Sequence, residues 1–82
     1  MGKYLVQVVM DYLEHRKSWS RTLTSDGVQL LSYGEVIGRW EGEVLALPSE
    51  IGRHFSQTTK RHLNMLRSTA ALRSIEVKEM LR

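Results

Sequence analysis

Three histidines, His15, His54 and His62, and the hydroxyl-rich run Ser56, Thr58 and Thr59 are the side chains here whose types invite a reading as chemistry. A zinc site takes four ligands, commonly cysteine and histidine at short fixed spacings. In this chain the histidines are scattered, no His-x-x-x-His pair occurs, there is no cysteine, and no carboxylate lies between residues 51 and 75. That pattern offers no ligand set for a metal and no evident cofactor. A hydrolytic centre needs a nucleophile, a base and an orienting group. Ser56 and His62 supply the first two types, but nothing around them resembles a nucleophile elbow. Gly34, Gly38 and Gly42 are spaced by four and lack both the Lys-Ser/Thr of a phosphate loop and the strand-to-helix setting of a dinucleotide site. They read as backbone punctuation, and the expected class is non-enzymatic.

The distribution of charge is more informative. Residues 1–52 hold five Lys or Arg against seven Asp or Glu, whereas residues 53–82 hold seven against two, so a balance of −2 gives way to one of +5. Between Glu50 and Glu76 no acidic residue occurs, while Arg53, Lys60, Arg61, Arg67 and Arg73 do. Such asymmetry fits a polyanionic partner, and it also fits a helix that carries cations for solubility. Taken as a site, Arg53, Lys60, Arg61 and Arg67 would neutralise phosphates, with the hydroxyls of Thr58 and Thr59 and a helix N-terminus adding neutral donors. Asn64 shares the face of Lys60 and Arg67 and is of a type that reads a base edge. No helix-turn-helix, zinc finger or RNA-binding sheet signature accompanies them.

These residues must be held by a small fold. Eighty-two residues make one domain, spanning 1–82, whose thin core makes a homodimer a plausible source of added stability. The absence of cysteine suits a reducing cytoplasm. The longest early apolar run, in YLVQVVM, is interrupted by Gln7 and is far shorter than the roughly 20 residues of a membrane span, so neither a transmembrane helix nor a signal peptide is expected.

Residues 4–16 carry Leu5, Val6, Val9, Tyr12 and Leu13 on one side of a helical wheel, with Gln7, Asp11 and Glu14 opposite. The spacing predicts a helix, although the β-branched Val6, Val8 and Val9 leave a strand over 4–10 open. The middle of the chain reads as antiparallel sheet. Asp26-Gly27 and Glu41-Gly42 are hairpin signals, giving three strands near 19–25, 28–40 and 43–47, with Gly34 and Gly38 as bulges or bends and Pro48 closing the sheet. Trp19, Leu23, Leu30, Val36, Ile37, Trp40, Val44, Leu45 and Leu47 form the expected packing face. Trp40 reads as core, and Tyr33, beside Gly34, as exposed.

The closing third returns to helix, with Ser56 or Thr58 as N-cap. At 3.6 residues per turn Thr59, Leu63, Leu66, Ala70 and Val77 form one stripe and Lys60, Asn64, Arg67 and Ala71 another, with Arg61 and Ser68 beside it. His62 falls between the two faces, near the buried edge. Met65 and Leu72 make a second apolar spot, so the helix is either covered on two sides or broken near 68–74, and IEVKEMLR is expected as a short final helix.

SRTLTSDGVQLLSYGEVIG, followed by FSQTTKRHLNMLR, resembles small uncharacterised proteins encoded by bacteriophages. The shared pattern falls on Thr22, Leu23, Asp26, Gly27, Ser32, Tyr33, Gly34 and Ile37, then on Ser56, Thr58, Thr59, His62 and Asn64, with Phe55 where tyrosine is usual. The resemblance covers roughly residues 20–67 and implies a phage setting, hence the cytoplasm of a host bacterium, without an assigned activity.

The sequence thus predicts an α+β domain: a three-stranded antiparallel β-meander packed against an N-terminal helix and a C-terminal helical segment. Two functions of different classes fit it. One is nucleic-acid binding through Arg53, Lys60, Arg61, Asn64 and Arg67. The other is a protein-interaction module, binding a host protein or a second copy of itself, with Tyr33 and Tyr12 as partner contacts.

Overall fold

A computed structural model describes residues 4–49 and 55–80. Helix α1 spans Leu5–Leu13 and helix α2 spans Gln57–Leu72; between and after them run strands β1 (Lys17–Trp19), β2 (Leu23–Asp26), β3 (Gln29–Ser32), β4 (Glu35–Glu41), β5 (Val44–Leu47) and β6 (Val77–Glu79). The strands form one sheet in the order β1-β2-β3-β4-β5-β6. Neighbours from β1 to β5 are antiparallel, and β6 lies parallel to β5 after the α2 crossover. The fold is α+β, with an antiparallel meander packed against an N-terminal helix and a C-terminal helix.

The meander has five strands where three are expected. The long predicted strand over 28–40 is folded in two by Tyr33-Gly34, a two-residue loop with both φ angles positive, 52° and 82°. That is the backbone of a type I′ turn, whose twist matches its strands. A tyrosine in the first position hides the signal, because Asn, Asp or Gly is usual there. The irregularity expected in this region is a register shift between β3 and β4, where Leu30 pairs with Gly38 but Leu31 pairs with Val36.

Both helices lie on the same side of the sheet. From α1 come Val8, Val9, Tyr12 and Leu13; from the sheet Leu23, Leu30, Ile37, Trp40, Leu45 and Leu47; from α2 Leu63, Leu66 and Ala70. Residues 4–10 take the helical alternative, with Val8 buried and Val6 turned outward. Trp19 is not in the packing face. Alternation along β1 turns Ser18 inward, opposite Ser25, and Trp19 outward, where it is 69% exposed. Val36 and Val44, paired with Leu31 and Glu41, leave the packing face for the same reason.

Tyr12, expected as a partner contact, is wholly buried. Its hydroxyl donates to the Val28 carbonyl at 2.9 Å, and its own carbonyl accepts from Trp40 Nε1 at 3.1 Å. Burial raises the phenol pKa far above its ordinary value, so it stays neutral and donates. A residue so enclosed is a packing element in this fold and is unavailable to a partner.

The predicted final helix is a strand. α2 runs unbroken to Leu72 and ends in a Schellman motif: the Ile75 amide bonds the Ala70 carbonyl at 3.0 Å and the Ser74 amide bonds the Ala71 carbonyl at 3.1 Å. The chain then reverses, and the β-branched Val77 pairs with Leu45 instead of extending the helical stripe. Glu41 ties this end down, with Lys78 Nζ at 2.6 Å and Arg39 Nη2 at 3.0 Å. Those two cations, Lys78 foremost, hold the Glu41 carboxyl below the usual carboxylate range.

Candidate nucleic-acid interface

Of the two N-caps open from sequence, Ser56 is the one used. Its Oγ accepts from the Thr59 amide at 3.1 Å, and its carbonyl accepts from the Lys60 amide at 2.9 Å. The cap fixes the phase of α2. Thr59, His62, Leu63, Leu66 and Ala70 are buried, while Lys60, Arg61, Asn64, Arg67, Ser68 and Ala71 face solvent.

The predicted phosphate face is therefore assembled in part by one rigid element. Lys60, Arg61, Asn64 and Arg67 share the outer surface of α2, no acidic residue occurs anywhere in the helix, and none of the three cations forms an ion pair among the described residues. Arg53 lies outside the described residues. The N-terminal end of the helix adds the partial positive charge of its unpaired amides to the same region. Leu72, part of the second apolar spot, is exposed at the far end, and Met65 packs against the margin of the core.

Beneath this surface lies an arrangement that sequence reasoning missed. Ser56 Oγ donates to Thr59 Oγ1 at 3.0 Å, Thr59 Oγ1 lies 3.2 Å from Ser32 Oγ, and Ser32 Oγ lies 2.7 Å from His62 Nδ1. The neutral imidazole either accepts from Ser32 at Nδ1 or donates to it there, according to which ring nitrogen carries its hydrogen. Nε2 is buried without a hydrogen-bond partner among the described residues. Burial lowers the His62 pKa, which favours that neutral form.

The partner of His62 is thus Ser32, on β3, and not Ser56, two turns away on its own helix. Both side chains are closed to solvent, so no substrate carbonyl reaches the pair in this arrangement. Their role visible in the structure is to pin the start of α2 to the end of β3. Tyr33, the next residue, is 62% exposed as expected, and its ring stacks over His62 with centroids 6.3 Å apart and planes at 22°. The Ser32-Tyr33-Gly34 turn and the Ser56–His62 segment therefore meet in space.

Among the described residues no group of His, Asp and Glu is placed to hold a metal ion, and no helix is long and apolar enough to cross a membrane. No protein-family model, curated protein or solved structure matches the chain.

Proposed function

We propose that this protein is a non-enzymatic accessory protein of the phage type its sequence pattern suggests, which binds nucleic acid through the outer face of α2. The observation that supports this reading is the row of Lys60, Arg61 and Arg67, unpaired among the described residues and presented on a helix without a single carboxylate, with Asn64 among them. Cations held unpaired on a rigid element gain most from a polyanion, because each displaces condensed counterions instead of breaking an internal bridge. Asn64 adds to the row a side chain of the type that pairs with an adenine edge.

Fluorescence anisotropy with a labelled 20-base strand and the matching duplex, titrated with salt, tests this. Three phosphate contacts give a log–log slope near −2.7 for duplex and about −2.1 for single strand. Reversal of Lys60, Arg61 and Arg67 to Glu abolishes binding while the circular dichroism spectrum is kept. Binding that ignores both salt and the triple reversal would sink the reading.

One observation favours the protein-docking alternative. The sheet face opposite the helices bears Trp19, Thr24, Leu31 and Val36 as a cross-strand row, with Trp19 largely exposed. An exposed tryptophan on an uncovered sheet is a common anchor for a protein partner. A partner captured by the wild-type chain after nuclease treatment, and lost on Trp19→Ala, would support that reading instead.

A further inference from the structure

β6 ends the sheet with three residues, and its pairing decides which of its backbone groups are used. The Leu45 amide donates to the Glu76 carbonyl at 2.9 Å and the Met80 amide to the Leu47 carbonyl at 2.8 Å, so residues 76, 78 and 80 turn their backbone toward β5. The N–H and C=O of Val77 and Glu79 consequently point to the open edge. Val77 and Glu79 pair with Leu45 and Leu47, two core residues, which puts their side chains on the helix side of the sheet. There they line a cleft of about 390 Å³ together with Leu47, Pro48 and Arg67 of α2.

Two features prepare this edge for pairing. Exposed edges are usually protected by lysine, but the Lys78 ammonium lies on the opposite face, 2.6 Å from Glu41, where its charge is neutralised. Arg67 forms no ion pair among the described residues. The cleft thus holds, beside its own Glu79, a guanidinium without an ion pair and backbone donors and acceptors without strand partners among the described residues.

We propose that the β6 edge is the interface for a second copy of this chain, the two β6 strands pairing antiparallel about a two-fold axis at Lys78. Val77 then stands opposite the partner subunit's Glu79, each such pair exchanging both of its backbone bonds. Directly opposed side chains share a face, so the partner subunit's Glu79 enters the cleft beside Val77 and meets Arg67. The two-fold axis forms the contact twice. This charge complementarity selects a second copy over a foreign strand, since each edge brings a second carboxylate to a cleft whose own Glu79 leaves Arg67 unbridged among the described residues. The joined sheet carries both α2 helices on one side, presenting Lys60 and Arg61 in duplicate. The proposal shares Arg67 with the nucleic-acid reading, and Glu79→Pro, which leaves Arg67 in place, tests it separately.

Sedimentation equilibrium of the full chain, from about 1 µM to about 1 mM, reads the association by mass action. A three-residue edge gives a small interface, below about 1,200 Å², so dimer is expected in the upper part of that range. Arg67→Glu and Glu79→Arg each weaken the dimer at least tenfold, and the two combined in one chain restore it. Glu79→Pro removes only a donor that faces the open edge, leaves the ladder to β5 intact, and gives monomer throughout. A wild-type chain that stays monomeric to the top of the range overturns the proposal. So does a dimer indifferent to Glu79→Pro, or single charge reversals that the double variant fails to rescue.

Discussion

Acidification singles out His62. Its ring has no exposed surface, Nδ1 is committed to Ser32 at 2.7 Å, and Nε2 has no partner among the described residues, so a proton added to the ring creates a buried cation without a counter-charge. Burial accordingly holds its pKa below the ordinary histidine value of about 6.5. As pH falls through about 6.5 the unfolded chain takes up a proton that the folded chain refuses. The stability is fully present above that pH and is lost as pH falls toward the folded-state pKa. The slope cannot exceed about 1.4 kcal/mol per pH unit, so between pH 7.5 and pH 5.0 the loss from this group is at most about 2 kcal/mol. That is a substantial share of the roughly 5 kcal/mol to be expected of a domain this small. Urea unfolding at the two pH values, followed by circular dichroism, measures it. His62→Asn places an amide where Nδ1 stands but cannot titrate, so its pH-dependent loss is smaller than that of the wild type. Equal losses in the two proteins would refute the reasoning.

Three further outcomes follow from the packing. A Cβ at Gly38 would sit 2.9 Å from Leu66 Cδ2 and 3.2 Å from Tyr12 Oη, and the Tyr12 hydroxyl is held by Val28. Gly38→Ala therefore costs about 1–3 kcal/mol, read as a Tm lower by about 4–8 °C per kcal/mol. Ser74 occupies the left-handed position after α2 with φ 57°, so Ser74→Gly raises stability by about 0.5–1 kcal/mol in the same melt. Lys60→Glu with Arg61→Glu changes exposed side chains that bridge to nothing described, so stability moves by less than about 0.5 kcal/mol even where nucleic-acid binding is lost.

The helical period of α1 and α2 and the two hairpins at Gly27 and Gly42 are legible because each rests on local chemistry: apolar spacing, a hydroxyl cap, glycine at positive φ. The outer row of α2 is legible for the same reason, since a helix fixes which residues share a face. The Tyr33-Gly34 turn is not, because a tyrosine at φ 52° contradicts local preference and is tolerated where its ring gains the surface of His62. Nor is the parity of β1. Shifting a strand by one residue exchanges its faces, and only the match of Ser18 to Ser25 decides that Trp19 points away from the core.

β6 marks the boundary between the two kinds of information. Its residues, VKE, fit a helix or a strand about equally well by themselves, and they become strand because α2 ends at Leu72 and the turn at Ser74 returns the chain beside the open edge of β5. Local spacing sets the α+β class, the basic helix and which side of that helix meets water, since those follow from patterns within single elements. Tertiary structure alone decided that Ser32 reaches His62 across 30 residues and that Val77 and Glu79 face an open edge beside Arg67. Hydrogen bonds between distant segments and the handing of backbone groups to one side of a strand are properties of register, and register exists only once the sheet is formed.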